Sequence, residues 1–222
     1  RLSTLGEMSA DLAHEIRNPL GSIRMAAEVV TEGLTEDDPR YEFGRILQKE
    51  AQRLNSVLED FLGLARPPAE EVEDMIVAEM FAELKLQLTP IAQTAQGKIV
   101  VTDSDEVISL PPLPLHQALL NLAQNAIQAM PGGGVLTLST QRTEAEFQLR
   151  VDDTGEGMDE KTLQKIFNPF FTTRDDGTGL GLAITQRLVQ RLGGEVKVES
   201  RPGSGTCFMI CLPQMTVRED GH

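Results

Sequence analysis

The spacing of the apolar residues changes along the chain, and this change limits the folds that the sequence can adopt. Over residues 1–66 the apolar residues recur at steps of three, four or seven, which places them on one stripe of an α-helix. A polar turn over residues 32–39 interrupts the pattern, and Arg66-Pro67-Pro68 ends it. The sequence therefore predicts two long helices. The stripe residues are Leu5, Leu12, Ile16, Leu20, Ile23, Ala27 and Val30, then Leu47, Leu54, Val57, Phe61 and Leu64.

The two helices carry more apolar surface than one hairpin can bury. Each helix of about 30 residues spans roughly 45 Å, with an apolar stripe and wider apolar margins along it. We expect an antiparallel helical hairpin that pairs with a second copy, so that a homodimer forms a four-helix bundle. The alternative is a hairpin that packs on its own downstream domain.

Residues 69–213 alternate short strand-like runs with helical segments. This arrangement predicts an α+β domain, an α/β two-layer sandwich. We expect a hinge linker at 67–68 and a C-terminal tail at 214–222. The predicted helices are 77–93, 115–130, 160–167 and 182–192, and the predicted strands are 98–103, 107–110, 135–142, 147–152, 195–200 and 206–212.

Composition excludes several classes of function. The chain has 222 residues and a formal net charge of −14, which argues against a nucleic-acid partner because phosphate neutralisation needs surplus Lys and Arg. It has no polybasic membrane segment and no apolar run long enough to span a bilayer. We expect a cytoplasmic location without membrane contact by this fragment, and reduced thiols at Cys207 and Cys211. Arg1 lies inside the helical pattern, so we expect that the full-length protein has a further N-terminal region before it. That region could contain a membrane anchor.

His14 lies on the polar side of the first helix. At the angular step of an α-helix it is about 180° from Ile23, so it is predicted to face solvent. A neutral imidazole (ordinary pKa ~6.5) carries a free lone pair, and Glu15 can accept a hydrogen bond from its other nitrogen. Asn18 follows one turn later on the same face. The position fits a nucleophile and equally an ordinary surface histidine.

Two amides lie one turn apart on an otherwise apolar helix, Asn121 and Asn125. A buried amide must be hydrogen-bonded, so both side chains could simply hold neighbouring backbone. The functional interpretation is an oxygen ligand for Mg²⁺, which binds through few protein groups together with phosphates and water.

A strand then leads into Asp153-x-Gly155-x-Gly157. A carboxylate at a strand end can accept from an exocyclic amine, and glycines allow backbone to approach a flat ring. Alone the pattern is weak, because any tight turn after a strand can look like this.

A second glycine-rich segment precedes a predicted helix, and backbone N–H groups at a helix N-terminus favour phosphate. The alternative is a flexible hinge. The aromatic and polar stretch that precedes this glycine-rich segment is predicted to be a lid, whose Arg174 reaches a terminal phosphate. The alternative for this stretch is a surface loop. The segment reads Gly177-Thr178-Gly179-Leu180-Gly181, and the stretch reads Phe167-Asn168-Pro169-Phe170-Phe171-Thr172-Thr173-Arg174.

Together and in this order, these segments resemble the sensor histidine kinases of two-component systems. The resemblance extends from residue 1 to about 213, and it looks closest to the nitrogen-regulation type. The segments similar to the H, N, G1, F and G2 boxes are His14-Glu15-Ile16-Arg17-Asn18-Pro19-Leu20, Asn121 to Ala126, Asp153 to Gly157, Phe167 to Phe171, and Gly177 to Gly181.

The resemblance implies a dimeric phosphoacceptor hairpin and a Bergerat-type ATP-binding domain of the gyrase, Hsp90 and MutL (GHKL) kind. Adenine would lie against Asp153, with Mg²⁺ on Asn125 and phosphates at 177–181. His14 would be phosphorylated and would pass the phosphoryl group to an aspartate of a response-regulator receiver domain. Asn18 resembles the position that orients water for phosphatase activity.

The sequence departs from the family at two places and leaves other classes open. Gln128 stands where some members have a basic residue, and residues 113–117 lack the usual acidic residue before the N box. The alternatives are a catalytically degenerate nucleotide-binding scaffold and a related Ser/Thr protein kinase of the same ATP fold.

Overall fold

The computed structural model describes residues 2–35, 37–65, 71–102, 104–143, 146–174, 177–213 and 217–219. For residues 2–15, 53, 56, 57, 59–65 and 217–219 it describes the backbone alone. The chain divides into two compact units, one comprising Arg1–Pro68 with Arg174–Leu180, the other Ala69–Thr173 with Gly181–His222. The expected hinge at Pro67 and Pro68 lies outside the described residues.

The first unit contains two long helices, α1 (Leu2–Thr31) and α2 (Pro39–Ala65). The connecting turn has Gly33 at φ 85, a backbone conformation that glycine adopts without strain. Asp38 caps α2, because its Oδ1 accepts from the Arg40 backbone N–H at 2.9 Å. The Arg40 guanidinium also binds this carboxylate, and these bonds lower the pKa of Asp38 to about 2. The predicted helical region is confirmed.

The hairpin buries only part of its apolar surface. Leu20 and Ala27 of α1 and Ala51 and Leu58 of α2 are buried. Gln48 Nε2 donates to Thr31 Oγ1 at 3.0 Å across the pair. A second set of apolar side chains at heptad spacing remains exposed, namely Ile16, Ile23, Val30, Leu47 and Leu54.

Eight strands form the two sheets of the second unit: β1 (Glu73–Ile76), β2 (Gly97–Val101), β3 (Glu106–Leu110), β4 (Gly134–Arg142), β5 (Glu146–Asp153), β6 (Glu195–Ser200), β7 (Thr206–Pro213) and β8 (Val217–Glu219), all within the described residues. A five-stranded mixed sheet forms the frame of this unit, in the order β2-β4-β5-β7-β6. The β2–β4 pair is parallel and the other neighbours are antiparallel. A separate antiparallel sheet has the order β1-β3-β8.

Three helices pack against the five-stranded sheet: α3 (Val77–Thr94), α4 (Pro112–Gln128) and α6 (Gly181–Arg191). Every second residue of β5 is buried, as expected for a sheet covered on one face. The predicted α+β layer sandwich is confirmed. Its core includes Phe81, Leu84, Leu115, Leu122, Phe147 and Leu149, all fully buried.

Three local predictions were wrong. The helix expected at 160–167 is a single turn, α5 (Glu160–Leu163), because Lys165 and Asn168 bond three residues back in tighter turns. Helix α4 begins earlier than predicted, with prolines in its first turn, where a missing N–H forfeits no bond. Strands β1 and β8 were not predicted, since both are short and β1 shows no burial alternation; β8 lies within the expected tail.

Candidate functional site

Asp153 is the last residue of β5, and it is a nearly buried carboxylate with 7% of its surface exposed. Its Oδ1 accepts from two backbone N–H groups, of Gly155 at 2.8 Å and of Thr206 at 3.2 Å. Among the described residues no hydrogen bond reaches its second oxygen, Oδ2. The side chain is therefore fixed through one oxygen and offers the other to a ligand.

Burial raises the pKa of Asp153, and the two amide bonds oppose this effect by stabilising the carboxylate. The neighbouring carboxylate of Asp152 raises the pKa further. A ligand that donates hydrogen bonds to this carboxylate would stabilise its charged form and offset part of the cost of burying it.

The loop after Asp153 contacts a second turn, residues 201–205, backbone to backbone. A Cβ at Gly157 (φ 66) would meet the Arg201 carbonyl oxygen, and one at Gly205 (φ 80) would meet that of Asp153. Gly155 is equally confined by the Ala129 carbonyl oxygen at the end of α4. Close packing of the protein backbone therefore requires glycine at these positions. From the sequence we expected a different reason, the approach of backbone to a flat ring.

Asn121 and Asn125 lie on α4, as predicted. Asn121 Nδ2 is a buried donor without a hydrogen-bond partner among the described residues. Asn125 lies beside the start of α6, where a Cβ at Gly181 would be 4.0 Å from Asn125 Nδ2. The structure thus brings Asn125 to a helix N-terminus, where backbone N–H groups and the helix dipole favour anions.

The aromatic stretch is a series of turns after α5. Phe167 and Phe171 are half-buried, whereas Thr173 and Arg174 are exposed. The Phe171 N–H donates to the Asn168 carbonyl at 3.1 Å around Pro169 and Phe170. Phe170 has φ 68 and is 67% exposed. An aromatic residue here, where such a turn normally has glycine, strains the backbone.

Other predicted residues lie in the range of the first unit. Thr178 Oγ1 accepts from the Leu180 backbone N–H at 3.3 Å, between Gly177 and Gly179, and Leu180 is fully buried. Asn18 is exposed on α1. His14 and Glu15 lie within α1, but their side chains fall outside the described residues.

Sequence reasoning missed Ser200, Gly205 and Thr206. From the sequence, residues 201–205 are a plain hairpin turn, yet Gly205 contacts Asp153 and the Thr206 N–H donates to it. The available signal was Gly203-Ser204-Gly205-Thr206, a third glycine-rich segment directly before a strand.

One cluster outside this site has metal-ligating groups, formed by Glu146, Glu195 and Cys211. The Lys197 ammonium lies 2.9 Å from Glu146 and 3.0 Å from Glu195. Because the Lys197 ammonium already forms ion pairs with both carboxylates, this cluster is a salt-bridge network of the sheet.

Comparison with known families agrees with this geometry. The family described as His Kinase A (phospho-acceptor) domain matches residues 4–70. The family described as Histidine kinase-, DNA gyrase B-, and HSP90-like ATPase matches residues 111–216. The second match contains Asn121, Asn125, Asp153 and Thr206, and the first contains His14.

Individual relatives agree with both matches. The sensor histidine kinase ZraS of Klebsiella oxytoca is 35% identical over 216 residues, covering 96% of this chain and 47% of that protein. Sporulation kinase C of Bacillus subtilis is 34% identical, covering 96% of this chain and 50% of that protein. The chain therefore belongs to the two-component sensor histidine kinases, whose catalytic core it carries. It spans about half the length of these relatives.

Solved structures show the same fold. Full-length ShkA in complex with AMPPNP superposes with a TM-score of 0.78 at 27% identity, covering 93% of this chain and 45% of that one. ThkA in complex with the response regulator TrrA superposes with a TM-score of 0.68 at 27% identity, covering 96% of this chain and 63% of that one. The chain therefore carries the phospho-acceptor and ATPase-like domains of the histidine kinase family. Among the described helices, none is both long and apolar enough to cross a membrane.

The contact between the two backbone turns makes a testable prediction. Gly205→Ala places a Cβ against the Asp153 carbonyl, so we expect it to lower the free energy of unfolding by more than about 2 kcal/mol. Gly203→Ala is the matched control, since Gly203 also has positive φ (73) but no atom within 4 Å of the added Cβ. Gly203→Ala should lower the free energy of unfolding by about 1 kcal/mol. Urea denaturation of the whole chain measures both, and equal losses would contradict the packing argument.

Proposed function

We propose that this chain catalyses ATP-dependent autophosphorylation of His14 and passes the phosphoryl group to an aspartate of a response-regulator receiver domain. The observation that carries the proposal is the open Oδ2 of Asp153, an acceptor held in place by two backbone amides. Residues 1–66 would form the phosphoacceptor hairpin, 67–68 a hinge and 69–213 the ATP-binding domain, and the 214–222 tail would add β8 to the smaller sheet of that domain. We place this part of the protein in the cytoplasm, where ATP and the receiver are available.

The residues present fit an adenine nucleotide. Asp153 Oδ2 can accept from the exocyclic amine of adenine. The buried Asn121 Nδ2 lacks an acceptor among the described residues, and a phosphate oxygen is an acceptor of the required kind. An unsatisfied buried donor costs about 1–3 kcal/mol, so a ligand that satisfies it recovers this energy on binding.

The site also fits Mg²⁺ at Asn125. The Asn125 amide oxygen would hold the ion beside the α6 N-terminus, with phosphate oxygens and water as its other ligands. Mg²⁺ supplies charge neutralisation on the phosphates when it is bound. Gln128 is exposed and neutral, so the protein's own positive charge near the γ-phosphate would come from Arg174.

The transfer needs little covalent help from the protein. A ring nitrogen of His14 would form the N–P bond as the bond between Pγ and its bridging oxygen breaks, and ADP leaves with that electron pair. Glu15 would hold the other ring nitrogen and stabilise the positive charge that develops on the imidazole. Movement at the 67–68 hinge would bring the γ-phosphate to His14, and neutralisation of the phosphate charge would lower the barrier to transfer. Residues 177–181 would hold the phosphates, and the lid with Phe167, Phe171 and Thr173 would cover them.

We propose that the hairpin works as a homodimer. Its exposed apolar side chains at heptad spacing on α1 and α2 (Ile16, Ile23, Val30, Leu47 and Leu54) lie on the same side of the buried α1–α2 contact. A second copy of the hairpin buries this stripe and completes a four-helix bundle.

The receiver domain would dock on the face of α1 that carries Asn18. Met25 and Val29 lie about two and three turns beyond Asn18 on this face, and each is 64% exposed. Gly21, which lies between Asn18 and Met25 in the helix, has no atom within 4 Å of an added Cβ. The solved complex of ThkA with the response regulator TrrA supports a partner of this kind.

Labelling with γ-³²P-ATP and Mg²⁺ tests the proposed activity. Wild-type chain should take up label that is lost in acid, because phosphohistidine is acid-labile. His14→Gln should reduce the label at least 100-fold, since glutamine cannot act as the nucleophile. His116→Gln is the matched control and should label normally. Acid-stable label would instead indicate a Ser/Thr kinase, and absence of label from the wild type would indicate a scaffold.

The docking face makes a separate prediction. Met25→Glu should slow phosphoryl transfer to a receiver domain about tenfold, because a charge replaces an apolar contact, while autophosphorylation stays within twofold. Leu86→Glu is the control, as Leu86 is also a large exposed apolar residue (77%) but lies on α3. The receiver should be the one that the wild type phosphorylates fastest. Equal slowing by both substitutions would exclude this face.

The phosphatase hypothesis concerns Asn18. If its amide orients the water that attacks the phospho-aspartate, Asn18→Ala should slow dephosphorylation of the phosphorylated receiver by roughly 100-fold. Ser22→Ala, one turn further on the same helix, should change it little, since the Ser22 hydroxyl donates to the Asn18 backbone carbonyl at 3.1 Å and makes no other hydrogen bond to the described part of the chain. Full dephosphorylation by Asn18→Ala would end the hypothesis.

A further inference from the structure

Ser200 lies two strands away from Asp153 and has no role in the mechanism above. We propose that Ser200 is a specificity-determining positioning residue, which fixes the Thr206 hydroxyl as a hydrogen-bond acceptor. The end of the pocket then accepts a purine with an amino group at position 6 and rejects one with a carbonyl there. This inference rests on the proposed nucleotide site at Asp153.

Strand register places the three side chains in one cross-strand series. Asp153 of β5 is opposite Thr206 of β7, and Thr206 is opposite Ser200 of β6. Directly opposite residues of antiparallel strands have Cβ atoms about 5 Å apart and share a face of the sheet. Asp153 and Thr206 are 7% and 5% exposed, so both act in a largely desolvated environment.

The hydrogen-bond partners of Ser200 determine where its proton lies. A serine hydroxyl has one hydrogen and two lone pairs. The hydrogen goes to the Gly205 carbonyl oxygen at 3.0 Å, which can only accept. The Met158 backbone N–H, at 2.8 Å, occupies one lone pair. The remaining contact, to Thr206 Oγ1 at 2.9 Å, must therefore use the hydrogen of Thr206.

Thr206 then has no hydrogen left for a ligand. Its backbone N–H already donates to Asp153 Oδ1 at 3.2 Å. Among the described residues its Oγ1 makes no hydrogen bond other than the one to Ser200, so only lone pairs remain there. Asp153 Oδ2 and Thr206 Oγ1, on directly opposite residues of β5 and β7, thus both offer lone pairs and no hydrogen to a ligand.

A pair of acceptors discriminates between purines by the chemistry at position 6. Adenine presents two N–H hydrogens, which match them. Hypoxanthine and guanine carry an N1–H donor but have a carbonyl oxygen at position 6, and that oxygen would face acceptors and stay unsatisfied, at about 1–3 kcal/mol. Without Ser200 the Thr206 hydrogen could turn to that carbonyl. A side chain that does not touch the base would therefore control which base binds.

ADP and IDP are suitable probes, because they differ at position 6 and carry no transferable γ-phosphate. Isothermal titration of the full 222-residue chain with each nucleotide and Mg²⁺ should show that the wild type prefers ADP. Ser200→Ala should lower the ratio of the two affinities at least about fivefold, with IDP binding no weaker than in the wild type. Ser200→Thr keeps a hydroxyl and should restore the ratio. Ser204→Ala, an exposed serine of the same hairpin, is the matched control and should leave the ratio unchanged.

Two results would overturn the proposal. If Ser200→Ala weakens ADP and IDP by the same factor, Ser200 has only a structural role. Thr206→Val removes the acceptor but keeps the shape of the side chain. If it fails to weaken binding of ADP more than binding of IDP, the acceptor pair does not discriminate between the bases. This second test remains available even if Ser200→Ala does not fold. A wild type that binds neither nucleotide would instead refute the proposed nucleotide site.

Discussion

A single buried carboxylate, Asp153, organises the end of the five-stranded sheet. Removing its charge from water is unfavourable, and the two backbone N–H groups that Oδ1 accepts from offset part of that penalty. The Gly155 donor belongs to the loop that follows Asp153, whereas the Thr206 donor is brought in by the 201–205 turn, whose backbone contact with this loop glycines permit. The geometry of the proposed adenine pocket thus follows from the requirement to satisfy one oxygen, while the other stays open for a ligand.

This carboxylate lowers the stability of the empty domain. Its pKa is raised in the folded state, mainly by burial, so the folded chain prefers the protonated form more than the unfolded chain does. Its contribution to the free energy of unfolding is therefore unfavourable above the raised pKa and disappears as the pH falls through it. Asn121 adds a second unfavourable term through its unsatisfied buried Nδ2. Both groups are better explained by recognition of a ligand than by stability, and the tests of nucleotide binding bear on this directly.

Much of the architecture could be predicted from periodicity, and the failures have local physical causes. Long stripes such as Leu20 to Ala27 identify helices because many residues share the signal, whereas α5 is one turn long and β8 has three residues. Asn121 and Asn125 were predicted because their amides interrupt an apolar helix, and Asp153 because it ends a strand directly before two glycines of a turn. Ser200 and Thr206 were missed because their importance depends on strand register, which brings residue 206 beside residue 153. Spacing along the chain does not reveal a contact of that kind.

The one parallel pair of the sheet, β2 with β4, has a consequence for how the binding site comes into existence. The segment between these strands contains β3 and α4, so the helix with Asn121 and Asn125 is part of a crossover that closes Gly97 onto Gly134. Closing so long a loop loses chain entropy before any contact compensates for it, which makes such pairings slow in folding. The hairpins β4–β5 and β6–β7 connect over a few residues and can form early. The pairing of β5 with β7, which brings Asp153 beside Thr206, closes a still longer segment. Both halves of the proposed site therefore depend on distant pairings, and competence to bind would appear late in folding.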